Sequence, residues 1–160
     1  MAAFPTNLRD ALIIQAQKES DAYLLYMQGS AWFGVRHLTG IAKKLRSEAN
    51  DERTHFESII DYLTLRDQHI HLVGSQMMEL NWSDEASVFE FFLNLERGNT
   101  KSISEVYALA RQVGEYDTEK FLSDMLSKQI QSTNEWEGLF ERLKSFTQLP
   151  GLIWHLDSLF

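Results

Sequence analysis

Cysteine is absent from this sequence, and proline occurs only twice, at Pro5 and Pro150. Without cysteine there is neither a disulfide framework nor a thiolate metal site. The two prolines bracket the chain, so its long interior is free of that helix breaker, which favours an all-helical fold. Positive charge is also scarce: 15 Lys and Arg stand against 23 Asp and Glu, a formal net charge of −8. That balance argues against nucleic acid, where phosphates need a basic patch, whereas an acidic surface concentrates cations. No apolar run approaches the ~20 residues needed to span a bilayer. The opening MAAFPTNLRD lacks the apolar core of a secretory signal and is too short and acidic for a transit peptide. A cytoplasmic location is expected, or an organelle if a leader has been removed.

The 160 residues are 44% hydrophobic and 24% charged, which suits one soluble domain over the whole chain. Apolar residues at three- and four-residue steps predict four long helices, over 6–34, 39–66, 84–113 and 117–147. A break is expected around Gly34 and Gly40, and Gly114 is a natural stop for the third helix. In NWSDEAS, Ser83 is expected to cap that helix while Asp84 and Glu85 complement its dipole. After Pro150, the apolar tail GLIWHLDSLF predicts a short fifth helix over 151–160. Short links make antiparallel hairpins of the first and second helices and of the third and fourth. The ~20-residue link between the hairpins is long for a loop and fits a crossover running the length of a four-helix bundle.

Each long helix carries a polar residue near the middle of its apolar stripe. In LRSEANDERTHFESIIDYL, Glu52 interrupts the face made by Leu45, Ala49, Phe56, Ile59 and Leu63, with His55 beside it. The first helix places Glu19 in this way, the third Glu96 and the fourth Gln129. One unpaired buried carboxylate costs several kcal/mol; three would exceed what a domain of about 5–15 kcal/mol tolerates. No lysine or arginine shares these stripes. A cation resolves the conflict, and carboxylates with one imidazole suit iron, manganese or zinc. Alone, Glu-x-x-His is a weak signal; with matching residues on three other helices it becomes specific. Tyr26, two turns after Glu19, either bonds a carboxylate in the core or approaches the metal, and the two readings are compatible. His69 and His71 in QHIHL, like His37, read as solvated side chains; Trp32, Trp82, Trp136 and Trp154 read as packing residues.

From about Leu8 to the end, the chain resembles the ferritins. The segments that carry the likeness are ESDAYLLYMQGSAWF, SEANDERTHF, LNLERGNTKSISEVYALA and FLSDMLSKQIQ, one per long helix. SISEVYALA and the tail PGLIWHLDSL are most similar to ferritins of cyanobacteria and marine algae. The resemblance implies a ferritin-like four-helix bundle with a short fifth helix, and a di-iron ferroxidase centre in which Fe2+ is oxidised by O2. Glu19, Glu52 and His55 would hold the first iron, Glu52 would bridge, and Glu96 would hold the second. Gln129 matches the helix-four glutamine beside the second site, and Tyr26 the tyrosine near the pair, a one-electron donor. It implies a homo-oligomeric shell of 24 subunits storing ferric oxide, with the fifth helix at the four-fold axes, where His155 either faces the channel or packs.

The sequence also departs from family patterns. A haem methionine would follow the bridging glutamate, but Arg53 stands there, so no haem is expected. Beside Asp51, the helix-four acids of a third iron site are replaced by Lys128, Gln131 and Ser132. In the three-fold channel pair Glu119 matches the first acid and Leu122 replaces the second. Of the inner-surface acids only Glu48 and Asp51 remain. The alternatives are a rubrerythrin-type di-iron peroxidase or oxidase, a shell subunit that only helps mineral grow, and a small DNA-protecting relative. The missing second Glu-x-x-His, the intact ligand set, and the presence of that set and a fifth helix in one chain weigh against them in turn.

Overall fold

The computed structural model describes residues 3–75, 77, 79–146 and 149–160, and among these the regular structure is helical throughout. The helices are α1 (Thr6–Gly34), α2 (Thr39–Leu65), α3 (Glu85–Gln112), α4 (Tyr116–Phe146) and α5 (Leu152–Asp157). The expected end of the fourth helix at 147 lies outside the described residues, and α5 is shorter than its expected span. α1 packs along α2 and α3 along α4 as hairpins. The described residues of the 66–84 link contain no helix, and Gln17 Nε2 of α1 donates to the crossover carbonyl of Val73 at 2.7 Å. This is the four-helix bundle with one long crossover and a short C-terminal helix.

Local chemistry sets the helix ends. His37 takes the left-handed conformation between α1 and α2 (φ 62), so the turn depends on neither Gly34 nor Gly40. Gly114 adopts φ 75 just beyond α3, and Glu115 N–H donates to the Ala110 carbonyl at 2.9 Å. The cap of α3 is Asp84, not Ser83. Asp84 is extended, its carboxylate accepts from Ser87 N–H at 2.7 Å, and Ser87 Oγ accepts from Asp84 N–H at 3.2 Å. Ser87 three residues on completes the reciprocal pair, which Ser83 has no equivalent partner to make.

Two apolar clusters fill the bundle, one around Tyr26, Phe33, Phe92 and Trp136, the other around Leu8, Leu12, Ile59 and Leu122. The buried polar residues on the long-helix stripes lie between them. Leu122, which replaces the second channel acid, is fully buried in the second cluster. Trp136 is buried and Trp32 and Trp82 join its aromatic cluster, whereas Trp154 is 53% exposed and is not a packing residue within the chain. His37, His69 and His71 are solvent-facing, as expected, and His155 is exposed on α5.

α5 docks through apolar packing, Ile153 included, and one hydrogen bond. Leu156 is buried in the first cluster, and Asp157 Oδ1 accepts from Ile41 N–H at 2.7 Å, capping the start of α2 from a distance. Gly40 permits this approach, since a Cβ there would lie 2.0 Å from the Asp157 carbonyl oxygen. We expect Gly40→Ala to undock α5 and lower stability by about 1–3 kcal/mol, read by thermal unfolding; an unchanged melting temperature would show that α5 contributes nothing to it.

Candidate metal centre

Each residue of the centre is placed by its position on a helical stripe. Glu19 sits mid-way along α1 and is fully buried; Glu52 and His55, three apart on α2, share one face. Glu96 and Gln129, 1% exposed each, come from α3 and α4. The structure brings Glu19, Glu52 and His55 together, with one ligand atom of each within 4.8 Å of the others. His55 Nδ1 is 3.3 Å from Glu52 Oε2 and 3.9 Å from Glu19 Oε2.

Glu96 lies outside that trio but beside it, since Asn99 donates both to Glu19 and to the Gln129 that bonds Glu96. Tyr26 OH donates to its Oε1 and Gln129 Nε2 to its Oε2. Each carboxylate oxygen has a further lone pair, so these bonds leave Glu96 able to ligate. Tyr26 therefore bonds a carboxylate in the core, stacked on Phe92 with ring centroids 4.3 Å apart. Arg53 is exposed and pairs with Glu57 at 3.6 Å, away from the centre.

Burial dominates the electrostatics. Glu19 is pushed up to about 8, first by burial and then by the hydrogen bond and charge of Glu52, against the lowering from Gln15 and His55. Glu52 rises to about 7, again first by burial; a hydrogen bond from Glu19 lowers it, while Glu96, Glu48 and Asp51 raise it. Glu96 is raised by burial despite its bonds to Tyr26 and Gln129. Burial, then the charge of Glu96, holds the Tyr26 hydroxyl well above the ordinary phenol range. A divalent cation would reverse this cost by neutralising the carboxylates together.

The helical stripes do not by themselves identify the network that supports Glu19. Gln15 Nε2 donates to Glu19 Oε1 and to Asn99 Oδ1, both at 2.7 Å, and Asn99 Nδ2 donates to Glu19 Oε2 at 3.0 Å. Ser102 Oγ donates to Gln15 Oε1 at 2.6 Å, and Lys18 Nζ donates to Ser102 at 2.7 Å. The donors thus point inward and fix the carboxylate's orientation. The available signal was Asn99 itself, a polar residue on the third stripe. Glu48 also differs from expectation. Rather than an open surface acid it is 6% exposed and bonded to Lys44 Nζ, while Asp51 is exposed.

Comparison with known proteins decides the lineage. The family model described as a ferritin-like domain matches residues 9–146. The chain belongs to the ferritin family. It is similar to the bacterial non-heme ferritin of Escherichia coli O157:H7, 30% identical over 131 residues covering 81% of this chain and 78% of that one. The bacterial non-heme ferritin of Staphylococcus aureus is 28% identical over 135 residues, 84% of this chain and 79% of its own. Among solved structures, an open pore ferritin from Archaeoglobus fulgidus superposes with a TM-score of 0.93 at 22% identity, covering 99% of this chain and 96% of that one. A PmFTN variant soaked in iron gives 0.92 at 23%, covering 98% and 99%. At those identities the structural likeness speaks for the fold. As a ferritin the chain is a non-haem, iron-storage family member, from a family that builds oligomeric shells. No described helix of this ferritin is long and apolar enough to cross a membrane.

Proposed function

We propose that this ferritin oxidises Fe2+ with O2 at a di-iron centre formed within one chain, and stores the ferric product as hydrated oxide inside a hollow shell of 24 cytoplasmic copies. The observation that carries the reading is the trio Glu19, Glu52 and His55, whose ligand atoms converge within 4.8 Å although both carboxylates are buried. The donor set fits iron, since hard carboxylate oxygens with one imidazole suit a first-row cation that must pass from ferrous to ferric.

In this scheme Glu19, Glu52 and His55 bind the first ferrous ion. Glu52 would bridge the pair, and Glu96, close enough for its charge to act on Glu52, would bind the other. Each ion gives up one electron and O2 accepts both. The carboxylates favour the higher charge, so oxidation is driven by the same groups whose burial strains the metal-free chain. Gln129 offers an amide where a second imidazole would complete a tighter site, which leaves the second iron ligand-poor and free to move on. Tyr26, donating to Glu96, is placed to supply an electron. With Arg53 after Glu52, no methionine stands at the position where the resemblance would place the haem ligand. Exposed apolar residues around α5, Trp154, Leu159 and Phe160 among them, supply surface for neighbouring subunits to cover. Residues 1–160 act as one domain in this shell.

Stopped-flow absorbance after adding two Fe2+ per apo-chain in air tests the reading. A fast phase complete at two ions per chain is expected, and repeated additions should then build a soluble core that sediments with the protein. Oxidation no faster than in protein-free buffer would leave a storage-only subunit.

A further inference from the structure

One buried carboxylate near the centre already has its cation. Glu48 lies one turn before Glu52 on α2, and Lys44 Nζ donates to its Oε1. The same ammonium donates to Glu135 Oε2 of α4 at 3.0 Å, so a single lysine spans the α2/α4 groove. Burial alone would lower the Lys44 ammonium, but Glu48 and Glu135 outweigh it and hold its pKa raised. The lysine therefore stays charged.

The groove connects this ion pair to the metal centre. A cleft of about 320 Å3 reaches Glu52 and His55, and one of about 380 Å3 reaches Lys44 and Glu135. The two share Glu48, Asp51, Lys128 and Ser132 as walls, so they adjoin. Glu48 also acts on the centre, its charge raising both Glu52 and Glu96. A cation leaving the centre along this groove meets Glu48, and Glu48 can accept it only by releasing Lys44. The lysine has a retreat, because Glu135 is 61% exposed at the outer end and an ammonium on a flexible stem can stay with it.

We propose that Lys44 is a tethered cation standing where a metal ion would bind beside Glu48, and that it limits the passage of iron along the α2/α4 groove. This rests on the metal-centre reading above, which supplies the iron. Lys44 is a positioning residue here: it acts through Glu48 and touches no ligand of the centre.

Calorimetric titration of the assembled apo-protein with Zn2+, which has no redox chemistry, tests it by counting ions. Lys44→Gln should bind one Zn2+ per chain more than the parent. Lys44→Met, which keeps the apolar stem, should do the same and serves if the glutamine variant assembles poorly. The gain should vanish in Lys44→Gln/Glu48→Gln, and Lys44→Arg should match the parent. Lys128→Gln removes the same charge from the same walls without touching Glu48, and should add nothing. A count unchanged in both Lys44→Gln and Lys44→Met overturns the proposal, as does an equal gain in Lys128→Gln. The metal-centre reading fails separately, if Glu52→Gln binds as many Zn2+ as the parent, and the difference between Lys44→Gln and the parent is still read in that case.

Discussion

Glu52→Gln is expected to lose the fast oxidation of the first two Fe2+ per chain, slowing it by at least about 100-fold, which corresponds to ~2.7 kcal/mol of barrier. The substitution keeps the volume of a side chain that is 3% exposed, so the packing around Leu45, Ala49 and Ile59 persists. It removes the charge at the point where two ions would share one carboxylate, and a neutral amide is a poor bridge between cations. The loss is expected in rate with shell size unchanged, which stopped-flow absorbance and analytical ultracentrifugation separate. A Glu52→Gln protein that oxidises iron as fast as the parent would remove Glu52 from the chemistry and leave the trio as an ordinary buried polar cluster.

Glu19→Gln should make the metal-free protein more stable at pH 8, by on the order of 2–3 kcal/mol, while impairing iron oxidation. The sign follows from the direction of the shifts. Glu19 rises from 4.5 to about 8 and Glu52 from 4.5 to about 7, so between these limits the folded chain holds protons that the unfolded chain has released. These groups therefore stabilise the apo-protein fully below pH 4.5 and progressively less as pH rises toward 8. Chemical denaturation at pH 6 and pH 8 should show the parent losing stability over that interval more steeply than Glu19→Gln. Metal should reverse the trend: Zn2+ at 100 times its dissociation constant adds about 2.7 kcal/mol to a protein that binds it only when folded. Equal pH slopes in parent and variant would mean that Glu19 ionises in the fold as readily as it does in water.

How far the sequence reaches can be judged from particular residues. The helical spacing in LRSEANDERTHFESIIDYL carried the α2 face and the adjacency of Glu52 and His55, because both follow from the 3.6-residue repeat alone. The same repeat placed Glu19, Glu96 and Gln129 near the middle of their stripes, and all three are buried there. Asp84, however, took the cap from Ser83, since a cap depends on backbone angles and on a reciprocal partner, here Ser87. Trp154, read as a packing residue, is 53% exposed, because only the docking of α5 decides which of its faces is turned inward.

By itself, then, the sequence determined the all-helical class, the crossover and the four polar intrusions, all of which are local or periodic properties of one chain segment. Only the tertiary structure decided which of those intrusions converge. It set Glu19 against Glu52 and His55, turned Glu96 toward Tyr26 and Gln129, and gave Glu48 a lysine instead of open water. Such choices depend on the rotation and axial register of one helix against another. Those are fixed by close packing of side chains distant in sequence, and no single helix's periodicity carries them.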